Sequence, residues 1–186
     1  FKVINLSNIP VALVILFIFL IFTQNQYLEY ETISIDIPSY LVASQNVGIN
    51  ELPFETQWES KGPVFMYLYN LISYFSGENL VLFKLINDLI LFVIILFLFF
   101  TLLIKNEDSN YSFIGALLFS SILSYVWYHS EFSEIYCLIF ISFHFYFVQK
   151  YELSPKNIFI SSVALSLSTL INQATIVFYF AFFLLI

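Results

Sequence analysis

Residues 89–104 read LILFVIILFLFFTLLI, with Thr101 as the only polar side chain. Extended to 79–104, this run is long enough to cross a bilayer, since a helix rises about 1.5 Å per residue and about 20 mostly apolar residues span the hydrocarbon. Working outward, further apolar runs lie at 3–23, 111–128, 132–149, 157–171 and 174–186. The runs at 3–23, 111–128 and 132–149 also fall in the spanning range. The last two are shorter and read either as a tight hairpin or as one bent helix.

Composition supports the same class. Hydrophobic residues make up 60% of the 186-residue chain and charged residues 10%, with a mean hydropathy of +0.89. Soluble domains average about 25% charged residues, so water-facing surface would be hard to cover. Six lysines, no arginine and a net charge of -7 argue against a nucleic-acid partner. A single cysteine, Cys137, excludes a disulfide framework and a cysteine-only metal site. The expected fold is all-α, a multi-pass transmembrane helical bundle with interfacial helices in the first outer loop, 24–78. The chain starts at Phe1 and stops within an apolar run, and 1–186 is read as the amino-terminal part of a longer membrane protein.

The segment 63–76, PVFMYLYNLISYFS, would span about 21 Å as a helix, too short to cross. If it stays on one side, Lys2, Lys105, Lys150 and Lys156 share one face, which the positive-inside rule makes cytoplasmic. Tyr67, Tyr69, Tyr74 and Trp58 then suit an outer aromatic belt. Asp36, Glu55, Glu59, Lys61, His129, Glu131, Glu134 and Gln173 all fall on the non-cytoplasmic side, so chemistry is expected at the outer face.

Each of these residues has a plain reading and a chemical one. Asp36, before Pro38, suits a turn or helix cap, or a general base with a carboxyl near the membrane surface. Lys61 is the only lysine of the outer loop, placed to hold a lipid phosphate or to snorkel as a helix anchor. Glu131 and Glu134 share a helical face, and Glu134 lies one turn deeper, where an ionisable group is costly. Lys84 and Asp88, four apart within a membrane run, read first as a structural ion pair. His144 reads as a satisfied packing residue. His129 lacks a ligand set around it, and no metal site is expected.

Together these stretches resemble the amino-terminal part of a GT-C-fold glycosyltransferase of the protein-mannosyltransferase and aminoarabinose-transferase group. The resemblance covers nearly the whole chain. It is carried by SIDIPSYLVASQNVGINELPFETQWESKGPVFMYLYNLISYFSG, where Asp36 matches the first acid of the family's pair, Tyr40 a tyrosine, Pro53-Phe54 a Pro-aromatic step and Lys61-Gly62-Pro63 a Lys-Pro-Pro motif. NLVLFKLINDLI places Lys84 where the family usually has Arg. SEFSEIYCLIFISFHFYF places Glu134 at an acidic position. LSLSTLINQATIVF keeps Gln173 and has Asn172 for a frequent Lys. Ile37 stands where the pair's second acid would be, so a divalent metal finds no support and no cofactor is expected.

The resemblance implies sugar transfer from a polyprenyl-phosphate donor to a lipid, glycan or protein acceptor, by an inverting mechanism at the outer face of a bacterial inner (plasma) membrane. Asp36 and Glu134 would be catalytic, Lys61 would bind the donor phosphate, and Tyr40, Glu131 and Gln173 would position substrate. A multi-pass transporter and a non-catalytic membrane subunit are the alternatives.

Overall fold

The computed structural model describes residues 9–24, 36–45, 47–48, 52–55, 61–77, 79–106, 108–126 and 132–185. Within these residues all regular structure is helical and no strand forms, so the chain is all-α. Eight α-helices follow in order: α1 (Ile9–Gln24), α2 (Asp36–Ser44), α3 (Pro63–Ser76), α4 (Leu80–Asn106), α5 (Ser109–Val126), α6 (Ser133–Lys150), α7 (Pro155–Ile171) and α8 (Ile176–Leu185). Most bounds fall within a few residues of the apolar runs, because polar or turn-forming residues separate them. Among the described residues, α4 is the one helix long and apolar enough to cross a membrane by length and composition.

Helix ends follow local chemistry. Pro63 opens α3 and Pro155 opens α7, where a missing N–H costs nothing. The Ser154 hydroxyl accepts from the Asn157 amide at 3.3 Å and caps α7. Gly77, at φ 56°, ends α3 by returning its N–H to the Ser73 carbonyl. Asn172 is extended (φ -142°, ψ 119°) and breaks the chain between α7 and α8, with a 3-10 turn over Gln173–Thr175. The segment 157–186 is therefore two helices, and α8 packs against α7.

α6 sits between α4 and α7. Ring contacts run in register along α4 and α6, Phe97 to Phe143 at 5.6 Å and Phe100 to Tyr146 at 6.5 Å, and the Tyr136 hydroxyl bonds to the Asn87 carboxamide nearer the start of both. These two helices are parallel. α6 and α7 are antiparallel: Cys137 Sγ lies 3.5 Å from the Ser168 carbonyl, and His144 Nδ1 lies 2.6 Å from Ser161 Oγ. Ser161, Ala164, Leu165, Ser168 and Ile171 form the buried stripe of α7, and the small side chains of Ser161, Ala164 and Ser168 admit close helix approach. His144 is the satisfied packing histidine expected from its apolar surroundings.

Lys105 and Lys150 therefore lie at the same end of the bundle, as does Lys156 in the first turn of α7. The opposite end is crossed by α3. Gly62, at its start, bonds to the last residue of α7; Phe65 stacks edge-on against Tyr136 of α6 at 5.4 Å; Tyr69 does so against Phe83 of α4 at 5.3 Å. The helix strides over three helix ends rather than running among them. Tyr40 of α2 completes this cluster, 4.9 Å from Phe65 and 5.8 Å from Tyr69. Each such aromatic pair adds about 0.5–1.5 kcal/mol beyond burial.

The expected aromatic belt is corrected at one position. Tyr67 and Tyr74 are exposed, but Tyr69 is fully buried, because it shares the inward face of α3 with Phe65, Ile72 and Ser76. Trp58 lies outside the described residues.

Candidate functional site

The polar cluster at the α3 end grows from the geometry just described. α3 begins over the carboxy end of α7, which brings Lys61 to the first turn of α6. Lys61 Nζ and Glu134 Oε1 form an ion pair at 3.4 Å. The Asn172 carboxamide donates to the same oxygen at 3.2 Å, and the Ser133 hydroxyl donates to Glu134 Oε2 at 3.0 Å. Both members of the ion pair are partly exposed, 20% for Lys61 and 32% for Glu134, so the cluster is open to a ligand. Glu134 also stands in the first helical turn of α6, where the helix dipole favours negative charge.

Backbone contacts hold the cluster together. The Gly62 N–H donates to the Ile171 carbonyl at 2.9 Å. A Cβ on Gly62 would stand 1.8 Å from the Leu170 carbonyl oxygen, so only glycine fits this approach. Thr175 Oγ1 donates to the Asn172 carbonyl at 2.8 Å, and the Asn172 side chain accepts from the Ala174 amide at 3.1 Å, which fixes the turn that presents the Asn172 carboxamide.

The residues singled out from the sequence are distributed unevenly. Lys61 and Glu134 are brought together. Asp36 opens α2, and its side chain lies outside the described residues, as do Glu131, Glu59 and His129 entirely. Tyr40 is buried in the aromatic cluster. Gln173 is exposed in the 3-10 turn, while its neighbour Asn172 joins the ion pair. Ser133 and Asn172 are the additions; the departure from Lys at Asn172 was the visible signal. Glu55 caps its own turn, accepting from the Leu52 amide at 2.9 Å, with Phe54 at φ 70°. Asp88 is fully buried on α4, and Lys84 one turn before it is half-buried.

Among the described residues, no three His, Cys, Asp or Glu side chains converge as a metal-binding group. Two cavities lie away from the ion pair. One of about 280 Å³ opens between α2, α3 and α4, lined by Leu41, Gln45, Ser73, Ser76, Leu80 and Phe83. The other, of about 410 Å³, is wholly apolar and lies between α4, α6 and α7.

No family model matches the chain, and no curated protein or solved structure matches it either.

Proposed function

We propose that this chain belongs to a multi-pass membrane glycosyltransferase that uses a polyprenyl-phosphate-linked sugar. The membrane part is supported by an inverted surface. Outward positions of α1 (Val11, Val14, Ile18, Phe22) and of α5 (Ile114, Leu118, Ile122) are strongly exposed, whereas Asn87, Asp88, Ser120, Ser161 and Ser168 are buried. Contiguous exposed apolar stripes of this kind are unusual for a protein surrounded by water. With Lys105, Lys150 and Lys156 at the cytoplasmic end, the Lys61–Glu134 cluster falls at the outer rim.

The observation that carries the catalytic part is the meeting of Lys61 with Glu134 beneath a short crosswise helix. In the reaction, the acceptor hydroxyl oxygen attacks the anomeric carbon, the bond from that carbon to the phosphate oxygen breaks, and polyprenyl phosphate leaves. Asp36 takes the hydroxyl proton. Lys61 balances the charge that grows on the departing phosphate, an effect strongest where water is scarce. At rest Glu134 holds the ammonium in place, and the donor phosphate displaces it; the released carboxylate and the Asn172 amide then face the sugar or acceptor hydroxyls.

The buried Asp88 and the Asn87–Tyr136 bond favour one alternative, a transporter, since buried polar groups in membrane helices often mark a substrate path. One assay separates the two readings. Purified full-length protein is given a radiolabelled sugar on polyprenyl phosphate, and release of lipid phosphate with sugar transfer is followed. Transfer supports the enzyme; absence of any sugar release, with uptake by proteoliposomes, supports the transporter.

A further inference from the structure

Gly62 does more than start a helix. Five residues close a ring: Lys61 to Glu134 through the ion pair, Glu134 to Asn172 through the shared Oε1, Asn172 to Ile171 through the chain, Ile171 to Gly62 through the backbone hydrogen bond, and Gly62 back to Lys61 through the chain. The ring ties together the start of α3, the start of α6 and the end of α7. Its tightest point is Gly62. The residue has ordinary extended angles (φ -73°, ψ 166°), so glycine is required for space and not for conformation.

We infer that Gly62 is a positioning residue whose close approach to the Leu170 and Ile171 carbonyls sets the reach of the Lys61 ammonium to Glu134. A methyl group at Gly62 must withdraw by about 1.2 Å merely to reach 3.0 Å from the Leu170 oxygen, and that oxygen belongs to helix backbone that cannot swing aside. The 3.4 Å contact has about 0.6 Å to spare before the limit of an ion pair, so a shift of this size forces the Lys61 side chain out of its present rotamer if it is to keep Glu134. The Gly62–Ile171 hydrogen bond breaks with it. The ring stands on geometry alone; its consequence for sugar transfer rests on the reading proposed above.

The test uses full-length protein in lipid nanodiscs. Lys61 acylation by a membrane-impermeant amine reagent is measured by peptide mass spectrometry for wild type, Gly62→Ala and Glu134→Gln, with the exposed Lys105 at the far end of α4 as the internal control. Gly62→Ala raises Lys61 labelling about two- to fivefold, to the level of Glu134→Gln, as loss of a part-exposed ion pair allows. Lys105 labelling stays at its wild-type rate. Unchanged Lys61 labelling in a folded Gly62→Ala protein overturns the inference. If that variant does not fold, amide exchange in the wild type decides: a protected Gly62 amide agrees with the ring, and exchange at the rate of an open loop overturns it. Where wild type transfers sugar, Gly62→Ala raises the donor KM and leaves the acceptor KM unchanged, whereas a general loss of folded enzyme lowers kcat and moves neither. A wild type without transferase activity sinks the function proposed above and leaves the labelling result to judge Gly62.

Discussion

Lys61 Nζ and Glu134 Oε1 lie 3.4 Å apart across a sequence separation of 73 residues. Neither residue has a local reason to meet the other. The contact exists because α3 crosses the ends of α6 and α7, and because the Gly62 backbone is pressed against α7. Two groups that lie far apart in the sequence thus become one polar cluster.

Removing either member of that pair should have a small effect on stability, and removing Lys61 a large one on donor use. A Lys61→Ala, Glu134→Gln double-mutant cycle on detergent unfolding should give a coupling of about 0.2–1 kcal/mol. Lys61→Ala should also raise the donor KM; an unchanged donor dependence returns Lys61 to a helix-anchoring role.

Asp36→Asn should reduce transfer by about 10²–10⁴-fold, the usual contribution of a general base, while the protein still inserts in membranes. The two quantities are read from the radiolabel assay and from alkaline extraction of membranes. Wild-type turnover in this variant removes Asp36 from the mechanism.

Topology can be checked with cysteines. With Cys137 replaced by alanine, a cysteine at position 61 should react with a membrane-impermeant maleimide in intact cells, and cysteines at 105, 150 and 156 should react only after the cells are broken. Labelling of position 61 only from the cytosolic side would exclude an outer-face site.

The Asn87–Tyr136 bond should matter to the fold. Tyr136→Phe leaves the Asn87 carboxamide oxygen buried without its phenol donor, at a cost of about 1–3 kcal/mol. Adding Asn87→Leu should recover part of that loss, since the orphaned amide is then gone. Thermal unfolding in detergent measures both, and equal stability of wild type and Tyr136→Phe would show the bond to be idle.

Ser168→Leu should wedge α6 from α7. Overpacking of a tight interface costs about 1–3 kcal/mol, and Cys137 and Thr175, which both approach Ser168, should become accessible to hydrogen exchange. Unaltered exchange there would mean that the seam is looser than its distances imply.

Helix positions were legible because apolar runs are separated by turn residues such as Ser154-Pro155 and Gly77. The α3 segment was legible from its length and from the lysine distribution. Tyr69 was misread as a belt residue, although its spacing from Phe65 and Ile72 marks one helical face, because tyrosine on a short amphipathic helix suits either side. The α6–α7 seam was not legible: Ser161 and Ser168 look like ordinary interruptions of an apolar run until the antiparallel register sets them opposite His144 and Cys137. At the site, Lys61 and Glu134 were singled out separately, and nothing local predicted their contact. Asn172 was passed over in favour of Gln173 because the choice depends on which of two adjacent amides the chain break turns inward.

The placement of α6 between α4 and α7 has a consequence for biogenesis. α6 carries Glu134, His144 and Lys150 and falls short of the apolar length and composition that α4 reaches. A segment of that kind partitions poorly into lipid by itself. The Ser161 partner of His144 and the Asn172 partner of Glu134 exist only once α7 has been synthesised, so in the membrane topology proposed above the two helices should leave the translocon as a hairpin, and a nascent chain halted after Lys150 should integrate α6 less stably than one that includes α7.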